Sequence, residues 1–167
     1  MKKIIGIIIF IGILSFFISQ EKHETFPEID FILIEKNKRQ MSVYFKGNLL
    51  RTYNISLGFS PIGHKMQEGD GKTPEGIYFI SHKIPNSQFH LALQISYPNK
   101  NDIRQAKEKR VSPGNNIMIH GLKNGLGWIS KLHILKDWTL GCIAVTNKEI
   151  EEIYGATKVG TRIEIKP

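Results

Sequence analysis

Short β-favouring runs separated by turn residues recur along most of this chain, and that rhythm restricts it to a fold built largely from strands. Residues 30–35 (Asp-Phe-Ile-Leu-Ile-Glu) and 40–45 (Gln-Met-Ser-Val-Tyr-Phe) flank Lys36-Asn37-Lys38-Arg39 and predict a hairpin. After the turn Lys46-Gly47-Asn48, residues 49–57 predict a third strand, and 77–81, 91–96, 116–120 and 141–145 predict four more. Residues 58–76 are rich in Gly and Pro and too long for a simple connector, which marks a rim or functional loop. Residues 102–110 predict a short exposed helix that Pro113-Gly114 helps to close. A second helix is predicted over 146–154, where Thr146-Asn147-Lys148-Glu149 forms a capping box, Ile150 and Ile153 share a face and Gly155 can end the helix. Residues 161–165 predict a closing edge or return strand, and no internal repeat is visible.

The N-terminus has a different character. Met1-Lys2-Lys3 precedes fifteen residues, 4–18, that are apolar except for Gly6, Gly12 and Ser15, the layout of an export segment. The run is at the short end for a permanent spanning helix, which takes about 20 apolar residues. No small-x-small cleavage site and no lipid-accepting Cys follows it. Residues 1–19 therefore read as a signal peptide or N-terminal membrane anchor, 20–28 as a linker and 29–167 as one domain, delivered to a periplasm or cell envelope. The run has no polar face, which argues against a buried core helix. The whole chain of 167 residues carries 23 Lys plus Arg against 15 Asp plus Glu, a formal charge of +8. In an exported domain that surplus suits envelope polymers rather than nucleic acid.

The chain has a single cysteine, Cys142, so it forms no intramolecular disulfide. An exported free thiol is either buried or used. Alternation in a strand puts Ile117 and Ile119 on the core side and Met118 and His120 on the other. The same reasoning opposes Cys142 and Ala144 to Ile143 and Val145, so the thiol and His120 can line a common cleft. A free thiol has a pKa near 8.5, and a neighbouring imidazole that accepts its proton makes it an effective nucleophile. His120 is the candidate base. Gly141 would admit a carbonyl substrate close to the backbone, and the N–H groups of Gly141 and Cys142 could stabilise an oxyanion. Thr139 could orient the imidazole or touch substrate. A satisfied core histidine and an inert buried thiol are the bland alternatives.

Two other patterns carry less. Gly69-Asp70-Gly71-Lys72-Thr73 ends like a phosphate-binding loop, but Met66 stands where the first glycine is required and Pro74 breaks the helix that should follow. His133 and His120 suggest zinc, yet no third or fourth ligand has suitable spacing, so neither metal nor cofactor is expected.

Ile119-His120-Gly121 with Thr139-Leu140-Gly141-Cys142-Ile143 resembles the His-Gly and [Ser/Thr]-x-Gly-Cys signature of the L,D-transpeptidase catalytic domain, the YkuD-like family. Leu57-Gly58 with Pro61 and Gly63, residues 68–76, Ile95-Ser96-Tyr97-Pro98-Asn99 and Asp137-Trp138-Thr139 resemble its YafK-type branch, so the likeness spans residues 29–167. It implies a mostly β fold with a few helices, a mixed β-sandwich, housing a cysteine acyltransferase. Cys142 matches the nucleophile and His120 the proton acceptor and donor. Many members have His immediately before the Gly-Cys pair; this chain has Leu140 there, and the YafK-type branch also lacks that His.

By the same resemblance, the thiolate attacks the bond before the terminal D-alanine of a peptidoglycan stem tetrapeptide, and the thioester passes to an amine on a second stem or an envelope protein. A hydrolase or amidase on the same fold and a non-catalytic wall-binding module are the competing readings. A membrane tether would run through residues 4–18.

Overall fold

The computed structural model describes residues 26–167, so the expected export segment or tether and most of the expected linker lie outside the described residues. Eight strands form one curled mixed sheet: β1 (Ile29–Glu35), β2 (Gln40–Phe45), β3 (Asn48–Asn54), β4 (Gly76–Ser87), β5 (His90–Ile95), β6 (Met118–His120), β7 (Ile143–Ala144) and β8 (Thr157–Lys166). Two helices accompany it, α1 (Lys100–Glu108) and α2 (Asn147–Ala156). The strand order is β3-β2-β1-β8-β4-β5-β6-β7, antiparallel except for the parallel pairs β1/β8 and β6/β7. The long strand β4 joins the two halves, pairing with β8 through Gly76–Phe79 and with β5 beyond it. The expected mostly β fold with mixed strands is borne out as one curled sheet, and within β4 the register shifts between Ile80 and His82.

The core follows from period-two alternation. Ile32 and Ile34 of β1 oppose Ile163 and Ile165 of β8 in register, all fully or nearly fully buried. Tyr78 and Ile80, Leu93 and Ile95, Ile119 and Ile143 continue the same apolar layer across the other half. Ile150 and Ile153 of α2 close over it, as the sequence spacing anticipates. Thr146 and Glu149 form the reciprocal capping box read from the sequence.

Several boundaries differ from expectation. The strand at 161–165 is longer, starts at Thr157 and lies in the centre of the sheet between β1 and β4, because its partners come from the N-terminus and the middle of the chain. α2 passes through Gly155 to Ala156 and gives way directly to extended Thr157, so Gly155 does not end it. α1 starts at Lys100 under Asn99, whose side chain accepts from Asn101 and Asp102 backbone N–H groups, and it ends at Glu108 before Pro113-Gly114. The third strand stops at Asn54, after which Ile55–Leu57 leave the sheet edge and Ser56 bridges to Ala144. The strands expected at 116–120 and 141–145 are confined to Met118–His120 and Ile143–Ala144. Residues 127–135, unassigned from the sequence, form a kinked 3-10 segment. Among the described residues no helix is long and apolar enough to cross a membrane.

Candidate active site

The rim loop expected at residues 58–76 ends at 75, before β4 begins at Gly76, and is pinned by charge placed inside it. Lys36 is 2% exposed, and its ammonium donates to the carbonyls of Gly63 (2.6 Å) and Thr73 (3.0 Å) and to Glu75 (2.7 Å). Burial draws this ammonium below the ordinary lysine value, with Glu75 acting the other way. The segment that resembled a phosphate loop is organised by an anion of its own. Asp70 accepts from the N–H groups of Met66, Gln67 and Lys72 and from Lys65. Burial alone would raise the Asp70 pKa, but these donors hold it below the usual carboxylate value.

This packing brings the loop against the Thr139–Cys142 turn. Gly58 and Gly71 meet there, since a Cβ on Gly58 would lie 2.1 Å from the Gly71 carbonyl oxygen and 3.0 Å from Gly141 Cα. Gly141 has φ +131, and a Cβ on it would sit 2.6 Å from the Lys72 carbonyl oxygen. The glycine is therefore required by protein packing at this turn. Its N–H donates to Thr139 Oγ1 (3.1 Å), and Thr139 Oγ1 donates to the Cys142 carbonyl (2.8 Å). Thr139 thus shapes the cysteine turn, and its hydrogen bonds do not reach the imidazole.

Cys142 and His120 line the same cleft, of about 1140 Å³. β6 delivers His120, and the residue just before β7 is Cys142; the two strands run parallel as direct neighbours, with His120 paired to Ala144. His120 Nδ1 lies 2.7 Å from the Gly121 carbonyl oxygen. A carbonyl only accepts, so Nδ1 carries the proton and Nε2 holds the free lone pair. Phe89 packs on the ring at 4.5 Å and Trp138 meets it edge-on at 5.8 Å. Burial pushes the His120 pKa down to about 4, against the pull of the Gly121 carbonyl, and His133 lowers it slightly more.

The Cys142 thiol reaches the cleft surface but is crowded by protein. It donates to the Asn116 carbonyl (3.5 Å) and accepts from the Met118 N–H. Burial raises its pKa, and the Met118 contact and the charge of Lys65 oppose the rise. The resting pair is therefore a neutral thiol and a neutral imidazole.

Sequence reasoning missed the parts that hold this pair. The Asn116 carbonyl, the Met118 N–H and the Gly121 carbonyl are backbone groups, which carry no residue-type signal. Lys65, 3% exposed, lines the cleft while bonded to Asp70. His133 also lines it, with Nδ1 3.0 Å from Ser56 Oγ, so a second imidazole does reach the cleft from outside the Gly-Cys motif. No cluster of three or more His, Cys, Asp or Glu suited to a metal occurs among the described residues.

A mostly β domain with a curled mixed sheet, presenting a cysteine and a histidine on one cleft wall, defines the class. The chain belongs to the L,D-transpeptidase catalytic domain (YkuD) family, whose model matches residues 29–165. It is 31% identical over 130 residues to YafK of Escherichia coli K12, a protein named for L,D-transpeptidases. That match takes in 74% of this chain and 45% of YafK, so the chain spans less than half of that relative's length. Among solved structures it is similar to the helical cell shape determining protein Pgp2 from Campylobacter jejuni, with TM-score 0.62 and 27% identity over 84% of this chain and 49% of that one. Bdellovibrio bacteriovorus Bd1075 gives TM-score 0.58 and 29% identity over 86% and 49%. An L,D-transpeptidase from Mycobacterium smegmatis, at 14% identity and TM-score 0.53, shares the fold.

Proposed function

We propose that this domain is a cysteine acyltransferase acting on peptidoglycan stem peptides outside the cytoplasm, with Cys142 as nucleophile and His120 as base. The observation that carries this reading is the shared cleft, in which the Gly121 carbonyl leaves His120 Nε2 as the proton acceptor. In the first half-reaction the sulfur attacks the scissile carbonyl while His120 Nε2 takes the thiol proton. The C–N bond then breaks, the proton passes to the departing amine and a thioester remains. Gly141 N–H is engaged by Thr139, so the Cys142 N–H is the donor left for the oxyanion. In the second half-reaction an acceptor amine attacks the thioester carbonyl, a C–N bond forms as the C–S bond breaks, and His120 carries the amine's proton to the departing sulfur. Family membership and the peptide-sized cleft support this substrate class. The similarity to a cell shape determining protein fits an envelope role.

Incubation with a defined disaccharide tetrapeptide is expected to add one acyl group to the protein by intact mass. Cys142→Ala should show no adduct. Normal processing by that variant would overturn the assignment. Products that gain cross-links identify amine transfer, products that only lose residues identify hydrolysis, and unchanged polymer with retained binding identifies a wall-binding module. The base must be unprotonated, and its depressed pKa keeps it so down to about 4. The acylation rate is therefore expected to hold through pH 6.5, the ordinary histidine value, and to fall as pH drops through about 4.

A further inference from the structure

Six of the thirteen large apolar side chains exposed among the described residues fall within fifteen consecutive positions: Leu126, Trp128, Leu132, Ile134, Leu135 and Leu140. Trp128 is 77% exposed and Leu135 80%. Scattered exposed leucines need no explanation, but this concentration marks an interaction surface. Lys131 and Lys136 are interleaved with it, Lys123 lies just before it, and all three are exposed. The three enter none of the ion pairs formed among the described residues. Residues 121–136 contain no carboxylate, and the next one, Asp137, is held by Arg39. The segment thus combines exposed apolar and cationic side chains with no carboxylate of its own; across space, the acidic side chain on the cleft side is Glu68, which shares the cleft lining with Lys123, Leu126 and Leu140.

We infer that the 126–140 face docks on an anionic lipid surface. The aliphatic side chains offer area without hydrogen-bonding groups, which suits the acyl boundary better than a glycan or a wall peptide. An exposed indole belongs at headgroup depth, and the lysine stems lie along apolar surface while their ammonium groups reach lipid phosphates. The segment outside the described residues agrees with this occupant. Residues 19–25 separate the apolar run from Phe26, and seven residues extend no further than about 25 Å. A retained run would hold the domain within that distance of a bilayer. Leu126 and Leu140 also line the catalytic cleft, so docking sets its mouth at the membrane boundary. The inference does not depend on acyl transfer.

The full chain is incubated with vesicles of phosphatidylglycerol or of phosphatidylcholine, each carrying brominated acyl chains, and Trp128 emission is isolated by subtracting a Trp128→Phe variant. Trp128 is expected to shift to the blue and be quenched in the phosphatidylglycerol vesicles, and to stay unquenched in phosphatidylcholine. Changing each of Lys123, Lys131 and Lys136 to Gln should weaken the docking equilibrium by about fivefold per lysine. Unquenched Trp128 on phosphatidylglycerol, equal quenching on both lipids, or quenching unaffected by the lysine changes would each overturn the inference. So would protection of Trp128 without lipid that grows with protein concentration, since the face would then be covered by a second copy.

Discussion

The cleft is flanked by two long non-strand segments built on opposite principles. Residues 58–75 put charge inside: Lys36 supplies three hydrogen bonds to their backbone and to Glu75, and Lys65 with Asp70 ties the tip. Residues 127–135 put apolar side chains outside and are tied inward mainly through His133, whose ring and carbonyl both meet Ser56 Oγ. The first arrangement is costly to disturb, because a buried polar group that loses its partner keeps its desolvation penalty. The second is cheap to alter in the folded state, because exposed apolar groups support little of the core. The difference separates a segment that sets the geometry of the Cys142 turn from one available for contact with something else.

That contrast can be broken most severely at Gly58. Gly58→Ala drives a methyl group into the Gly71 carbonyl, a backbone atom that cannot swing away. It is expected to cost about 4 kcal/mol in urea unfolding and to remove acylation by displacing the adjoining Gly141 turn. A stable, active alanine variant would show that the loop does not support the turn.

The next largest effect is expected from Lys36→Met, which strips the ammonium from two carbonyls and Glu75. Removing one partner of a buried ion pair should cost about 3 kcal/mol. A loss below about 0.5 kcal/mol, the usual size for a surface site, would erase the distinction between the two segments.

The smallest effect has the opposite sign. Ser130 has φ 46 and ψ −128, a conformation that strains any residue with a Cβ. Ser130→Gly is expected to raise stability by about 0.5 kcal/mol, relief of strain outweighing the added freedom of the unfolded chain. A drop in Tm would mean that the kink is held by something other than backbone strain.

Much of this molecule was legible before its structure. The α2 capping box, the buried pair Ile150 and Ile153, and the faces of Ile117, Ile119 and Ile143 all follow from spacing over a few residues. The start of α1 was equally available, since Asn99 precedes Asp102 by the same three residues that separate Thr146 from Glu149. Gly155 misled because a glycine permits a helix end without requiring one, and β8 takes over two residues later. The sequence places Lys36 in a hairpin turn, and nothing near it in sequence shows that the acceptors for its ammonium lie some thirty residues away. His133 was weighed only as a metal ligand, whereas the structure pairs it with Ser56 and places it on the cleft wall.

By itself the sequence determined what depends on neighbours: alternation along strands, capping, and the residue types at the catalytic motif. Tertiary structure alone decided the central place of β8, the burial of Lys36, the backbone groups that hold Cys142 and His120, and the direction of their pKa shifts. Those properties depend on which distant segments share a volume and exclude water from it, and no local pattern encodes that.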